Sequence, residues 1–351
     1  MKFKIYKSEV LPALTALMVV CLLMPITHLM AQTDSLETSD APAVKKPKPV
    51  KNTFQSIWII DNQTVMVPIK KTFEMDIMHR FGTVENGYED FWGFFAPSNI
   101  RLGFNYSPAN KLNVGIGVTK TSAAVIPNQS ISSVSGPVWD ASLKYSIITQ
   151  TKDKYPVSIS YYGNVACNTK PDPNNDIYTN YSDRLSFFHQ ILIARKVNEK
   201  LSVQVAPSVS HQNVVNGYFT KMNDSTLKIE PDMNFNHYAI ALSARYKVTD
   251  VTSIMINYDQ PITQHAQNNP NPNLSFGVEF STSSHSFQLF FTNYFYMNPQ
   301  TNNLYNRNSP FSYTQEYYTK DPTTGNPVLN EKSYEGGKFL IGFNITRLWN
   351  Y

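Results

Sequence analysis

Charge is scarce in this chain. Only 16% of its 351 residues are Asp, Glu, Lys or Arg, against roughly a quarter in an ordinary soluble domain. The formal net charge is +4, and half of it comes from Lys2, Lys4 and Lys7 set against Glu9. The remainder forms no basic patch, so nucleic acid is not an expected partner. Cysteine is limited to Cys21 and Cys167. Cys21 lies in a segment expected to be removed, which leaves Cys167 without an intrachain disulfide partner. Val20 stands before Cys21 where a lipoprotein needs a small residue. After Met24 no apolar run is long enough for a transmembrane helix. Mean hydropathy is −0.31, which excludes a helical membrane bundle. The seven histidines show no His-x-x-x-His spacing and no Cys/His cluster, so neither a metal nor another cofactor is expected. In Ser210-His211 and His285-Ser286 adjacency on a strand sends the two side chains to opposite faces. There is no His-x-Ser of the kind an outer-membrane phospholipase shows. Asp172-Pro-Asn174-Asn-Asp176 begins like a calcium loop, but Ile177 stands where glycine must turn it.

What remains is aromatic and alternating. Lys2, Lys4 and Lys7 precede the apolar run Leu11 to Met24 and a break at Ala31, so residues 1–31 read as a signal peptide. Residues 32–52 are polar, hold Pro42, Pro47 and Pro49, and read as a flexible periplasmic leader. Residues 53–71 carry two apolar clusters around Asp61-Asn62-Gln63. A short hairpin on a barrel rim is the simpler reading and is preferred. A plug in the barrel mouth is the other.

From Thr72 to the end the apolar residues recur with a period of two. Phe73, Met75, Ile77 and Phe81 oppose Glu74, Asp76 and Arg80. Ile100, Leu102, Phe104 and Tyr106 oppose Arg101, Gly103 and Asn105. The pattern repeats through the closing Lys338–Tyr351, where Phe339, Ile341, Phe343 and Ile345 share a face. The segment Arg184 to Arg195 is strand-like but mixed on both faces. About twelve strands result, an even number, as single-chain bacterial barrels have. Short links such as Pro108–Lys111 and Val197–Lys200 alternate with long ones such as Gly82–Ser98 and Asn298–Gly337. The expected fold is therefore an all-β, antiparallel transmembrane barrel over residues 72–351. Its turns would be periplasmic, its long loops extracellular and both termini periplasmic. A soluble sandwich also alternates, but its polar face favours Lys and Glu. Here that face is Ser, Asn, Gln, Thr and Gly.

The charges on the polar face are Glu74, Asp76, Arg80, Arg101, Asp140, Lys144, Arg245 and Glu279. They would face the lumen, either as internal ion pairs or as a polar path for a solute. Pairing of Arg101 with Glu74 and Asp76 on the adjacent strand is expected. Trp139, Tyr145, Trp349 and Tyr351 fall on the apolar face, as aromatic anchors at the membrane boundary do. The long loops are rich in Asn, Tyr, Pro and Gln. Asn298–Gly337 either folds inward or projects outward.

Four stretches carry a family resemblance: Asn62-Gln63-Thr64-Val65, Phe73 to Gly82, Ala96 to Gly103, and Phe339 to Tyr351. They resemble a Bacteroidota β-barrel family known as a domain of unknown function. The resemblance implies an outer-membrane barrel and supplies no activity or catalytic residues. The expected partners are outer-membrane lipid, the barrel-insertion machinery through the C-terminal strand, and a small polar solute. The expected role is a channel or gated pore. A closed barrel used as a binding or assembly platform is the alternative, and an outer-membrane hydrolase the third.

Overall fold

An alternating segment has one apolar edge of side chains and one polar edge, and its backbone groups need partners on both sides. In lipid these demands are met together only when the sheet closes on itself. In the computed structural model it does. The structure describes residues 48–51, 53–121, 136–175, 177–223, 226–320, 323 and 327–350. The expected signal peptide, most of the leader and Tyr351 lie outside them. A closed antiparallel barrel of twelve strands follows chain order. We number the strands β1 (Thr72–Thr83), β2 (Asn99–Ala109), β3 (Leu112–Thr121), β4 (Gly136–Ile148), β5 (Ser158–Asn168) and β6 (Leu185–Lys196). The second half is β7 (Leu201–Gln212), β8 (Asn236–Lys247), β9 (Thr252–Pro261), β10 (Asn273–Ser281), β11 (His285–Thr292) and β12 (Leu340–Asn350). Closure runs between β12 and β1, with Phe343 opposite His79, Ile345 opposite Ile77 and Trp349 opposite Phe73.

Short turns sit at one end and long connections at the other. Asn110-Lys111 joins β2 to β3 in two residues, and Lys111 takes a left-handed φ of 72°. At the opposite end two long connections form hairpins outside the barrel sheet, Gly217–Asn223 with Thr226–Pro231 and Tyr313–Lys320 with Pro327–Tyr334.

The two faces are inverted relative to a soluble protein. Ile116, Leu143, Ile254, Phe276, Leu289 and Phe291 are exposed on the outer wall. Ser160, Gln204, Ser243, Ser253, Asn257 and Gln288 are buried on the inner one. On β4 the exposed Trp139 and Tyr145 are six positions apart. That is roughly 20 Å of strand, close to the height of an apolar band in lipid. Trp349 is partly covered: its ring packs on Phe73 at 5.6 Å, with the Arg347 guanidinium over it at 4.8 Å.

Candidate functional site: an occupied lumen

Residues 53–66 fill the barrel from the turn end. They enter beside the β4–β5 turn, where the Val50 amide donates to the Gln150 carbonyl at 2.7 Å. They leave beside the β2–β3 turn, where the Lys71 amide donates to the Ser107 carbonyl at 2.8 Å. This corrects the preferred rim-hairpin reading: the segment is a plug. Its centre is a tight hairpin pairing Trp58–Ile59 with Asn62–Gln63. Ile57, Trp58, Ile59 and Ile60 are all buried, a gain of about 2 kcal/mol each at most.

The inner wall receives this plug with matched chemistry. Phe54, Ile59, Ile60 and Val65 pack with Phe188 and Leu192 of β6, Met255 of β9 and Phe290 of β11. That contact explains why β6 reads as mixed on both faces: part of its inner face touches the plug instead of a polar lumen. The plug backbone is held by wall side chains. Gln204 accepts from the Val65 amide at 3.1 Å and donates to the Gln63 carbonyl at 2.7 Å. Ser160 donates to the Val65 carbonyl at 3.0 Å. Gln288 accepts from the Ile60 amide at 3.1 Å and donates to the Trp58 carbonyl at 2.9 Å. Asn344 donates to the Ile60 carbonyl. Ile60 itself has a left-handed φ of 60°, costly for a β-branched residue. Both polar groups of that residue are clamped by Gln288 and Asn344.

The lumen-facing charges predicted from the alternation are all buried inside the barrel, but they serve different purposes. Arg101 does not pair with Glu74 or Asp76. It reaches across β3 to Asp140 in a two-point contact, 2.8 Å from Nη2 and 3.2 Å from Nε. Room for that reach comes from Gly117, where a side chain would collide with the Arg101 guanidinium. Arg245 pairs with Glu279 at 2.7 Å. Asp76 accepts from the Trp58 indole N–H at 2.9 Å and from Asn105 at 2.6 Å. Lys144 donates to two plug carbonyls, Thr64 at 3.2 Å and Ile57 at 3.4 Å. Arg80 donates to Asn344 at 3.0 Å and lies over the Phe290 ring at 4.6 Å. Glu74 has no hydrogen-bond donor on either carboxylate oxygen within the described residues.

From the loop end a second insertion comes down to meet the plug. Strand β11 stops at Thr292, and Tyr294, Phe295, Tyr296 and Met297 turn inward and are buried. Helix α1 (Pro299–Tyr305) follows, with Gln300, Asn302, Asn303 and Leu304 buried. Phe295 and Tyr296 cover Leu340, an apolar residue on the inner face of β12. The two insertions touch at Asp61, the tip of the plug. Its carboxylate accepts from Tyr294 of the loop-end insertion, from Asn302 of α1 at 3.3 Å and from Asn257 of β9 at 3.0 Å. Asp259 beside it accepts from Asn62 at 2.7 Å. Asp61, Asn62, Gln204, Gln288 and Asn344 carry the contact between plug and wall, and none was singled out from the alternation. The run Asp61-Asn62-Gln63 between two apolar clusters was the available signal.

Neither Ser210 nor Ser286 meets its neighbouring histidine: the exposed His285 lies 3.0 Å from the Ser284 hydroxyl instead. Both ring nitrogens of His211 are engaged, by Asn236 at 2.8 Å and Asn213 at 2.9 Å, while Ser210 is buried on the other face. Among the described residues no group of three His, Cys, Asp or Glu converges as metal ligands.

Among solved structures the chain is similar to several outer-membrane barrels. The COG4313 outer membrane channel from Pseudomonas putida F1 is 14% identical, over 81% of this chain and 97% of that one, with a TM-score of 0.41. The NanC porin is 6% identical, over 80% and 99%, with a TM-score of 0.39. The Pseudomonas putida toluene transporter TodX is 7% identical, over 82% and 91%, with a TM-score of 0.34. The fold rests on the strand pairing of this chain and not on these likenesses. Among curated proteins none matches the sequence. Residues 54–349, from the first buried residues of the plug to the closing strand, match one family from end to end, and the chain belongs to it: the membrane-bound beta barrel domain family DUF5777.

Proposed function

We propose that the protein is a gated outer-membrane channel for small polar solutes, closed in this structure from the turn end by residues 53–66 and from the loop end by residues 294–305. The observation that carries the reading is the kind of bond holding the plug. Wall amides and hydroxyls of Gln204, Gln288, Ser160 and Asn344 grip its backbone, and water can replace such bonds one at a time at small net cost. Apart from the apolar contact at Phe188, Leu192, Met255 and Phe290, the wall around them is Ser, Asn and Gln, so a displaced plug would leave a surface that is largely able to hold water. The short turns and both ends of the described chain would face the periplasm, with the long connections outside. Trp139, Tyr145 and Trp349 would sit at the two membrane boundaries, and β12 would carry the signal read by the insertion machinery. The role is transport and not catalysis; the engagement of His211 away from Ser210 supports that part.

Conductance in planar bilayers tests the reading. The intact protein is expected to be closed with rare openings, and a variant lacking residues 53–66, which keeps the loop-end insertion, to open far more often. A folded deletion variant that never conducts would sink it. That result would favour the second reading, a closed barrel serving as a platform, which the filling of the lumen from both ends also supports.

A further inference from the structure

The connection from β1 to β2 carries five aromatic rings within eight residues: Tyr88, Phe91, Trp92, Phe94 and Phe95. All five are exposed, Tyr88 at 80% and Phe95 at 79%. A single exposed ring needs no explanation, but a contiguous patch of them marks an interaction surface. The segment that holds them is fixed. The Gly82 amide donates to the Gly93 carbonyl at 3.0 Å, and the Val84 amide to the Phe339 carbonyl at 2.9 Å. The Gly93 amide donates to the Asp90 carboxylate at 2.8 Å. Phe91 and Trp92 both take a left-handed φ, 53° and 54°, a conformation costly for bulky side chains. Such strain persists only where the surroundings impose it, and here it leaves the rings on the surface instead of in a core.

The patch is continuous with the outer wall of the barrel. Phe287 of β11 stacks on Phe343 of β12 at 6.2 Å, Phe343 meets Phe81 of β1 at 5.9 Å, and Phe81 meets Phe94 at 4.5 Å. From Phe94 the rings run on to Phe91 at 5.9 Å. Phe91 then touches Phe95 at 5.5 Å and Trp92 at 5.3 Å, and Tyr88 lies 6.1 Å from Trp92. Charge does not break the path: Glu85 pairs with Lys338 at 2.8 Å, and Asp90 accepts from Asn86 at 3.0 Å as well as from Gly93. We infer that this loop is seated in the lipid leaflet at the loop end of the barrel, with Phe91, Trp92 and Phe95 where headgroups meet acyl chains. Aromatic rings are favoured at that depth. A soluble partner could not follow a surface that runs on into the lipid-facing wall. The contacts of Val84 with Phe339 and of Glu85 with Lys338 set the anchor over the β12–β1 closure, so it braces that junction. The inference does not rest on the channel reading, because an anchor in lipid needs no open lumen.

Quenching of tryptophan fluorescence tests it, on the full chain reconstituted in phosphatidylcholine vesicles. The difference between the parent and Trp92→Phe isolates Trp92 from the other three tryptophans. Lipid brominated near the headgroup end of its acyl chains is expected to quench that signal more than lipid brominated near the chain terminus. Iodide, present on both sides, should quench it about threefold less than it quenches a tryptophan amide in water, because a ring at the interface is screened from solvent. Phe95→Trp adds a second reporter, expected to behave in the same way, and keeps the test valid if Trp92→Phe misfolds. The inference fails if iodide quenches either reporter as it does the free amide. It also fails if brominated lipid leaves them unquenched, and crosslinking between copies at Phe95 would then identify a second chain as the occupant. None of these outcomes bears on conductance, so the channel reading stands or falls separately.

Discussion

The barrel is filled from both ends, and the two fillings are built differently. The turn-end plug presents a hydrophobic centre, Ile57 to Ile60, and its backbone is gripped by side chains of the wall. The loop-end insertion holds on through its own side chains: Gln300 to Asn164, Asn303 to Ser208, Tyr305 to Gln212. Backbone held by flexible wall amides tolerates changes of plug sequence and release in steps. A helix held by its own amides depends on each residue being kept. The first design suits a gate and the second a fitted cap. They meet at Asp61, and they also share apolar clusters, Met297 with Ile57 and Trp58, and Tyr294 with Ile59 and Ile60.

The largest effect expected falls on the wall beneath both. Asp140→Ala leaves the Arg101 guanidinium buried without a carboxylate and should cost about 3–5 kcal/mol. Urea unfolding in detergent, followed by gel mobility with and without heating, measures it. A loss under 1 kcal/mol would mean that Arg101 is wetted instead of paired.

Next come the clamps on Ile60. Gln288→Leu with Asn344→Leu should loosen the plug by about 2–4 kcal/mol, since a left-handed isoleucine then loses both partners. Hydrogen exchange at residues 58–63 should rise while α1 stays protected. Equal loosening of both would show that the two insertions move as one body, against the division drawn above.

Asp61→Asn is the sharper cut between them. It keeps the shape and removes a charged acceptor of three hydrogen bonds, at about 1–2 kcal/mol. Exchange should rise at both the plug tip and α1, and more bilayer openings should appear.

The smallest effect is a pH response confined to the loop end. His265 accepts from the Asn234 amide at 2.9 Å and lies 2.9 Å from His237. Burial, then the nearby Arg307 charge, hold its pKa below the ordinary value of 6.5. An unfolded chain therefore takes up that proton first. The stability from the neutral ring is fully present above about pH 6.5 and is lost as pH falls toward the lowered folded value. Exchange at residues 262–269 should quicken in that window, with residues 58–63 unaffected.

Much of the barrel was legible in the sequence, because alternation reports which face a residue takes. The inward set from Glu74 to Glu279 followed from parity alone. Partners did not, because parity says nothing about reach across a strand. Arg101 skips β3 to find Asp140, and the trace in sequence was glycine at 103 and 117, where a side chain would meet the Arg101 guanidinium. The plug was the less preferred of two readings for a related reason. Two apolar clusters about a polar turn describe a rim hairpin and an internal one equally well. The distinguishing trace lay elsewhere, in Phe188 and Leu192, which place grease on the inner face of β6. The inward turn at Tyr294 was hidden because Phe287, Leu289 and Phe291 continue into aromatics that suit either a strand or a core.

The plug enters and leaves at the same end of the barrel, tied at Val50 to Gln150 and at Lys71 to Ser107. It is therefore a ligand tethered at both ends to its own receptor. Such a tether supplies an effective concentration in the millimolar range or above, so weak individual bonds suffice to keep the lumen shut. Under the proposed gating, openings would be brief, and each would end by intramolecular recapture. A free peptide of residues 53–66 added to the deletion variant has no such tether, and should block it only near millimolar concentration.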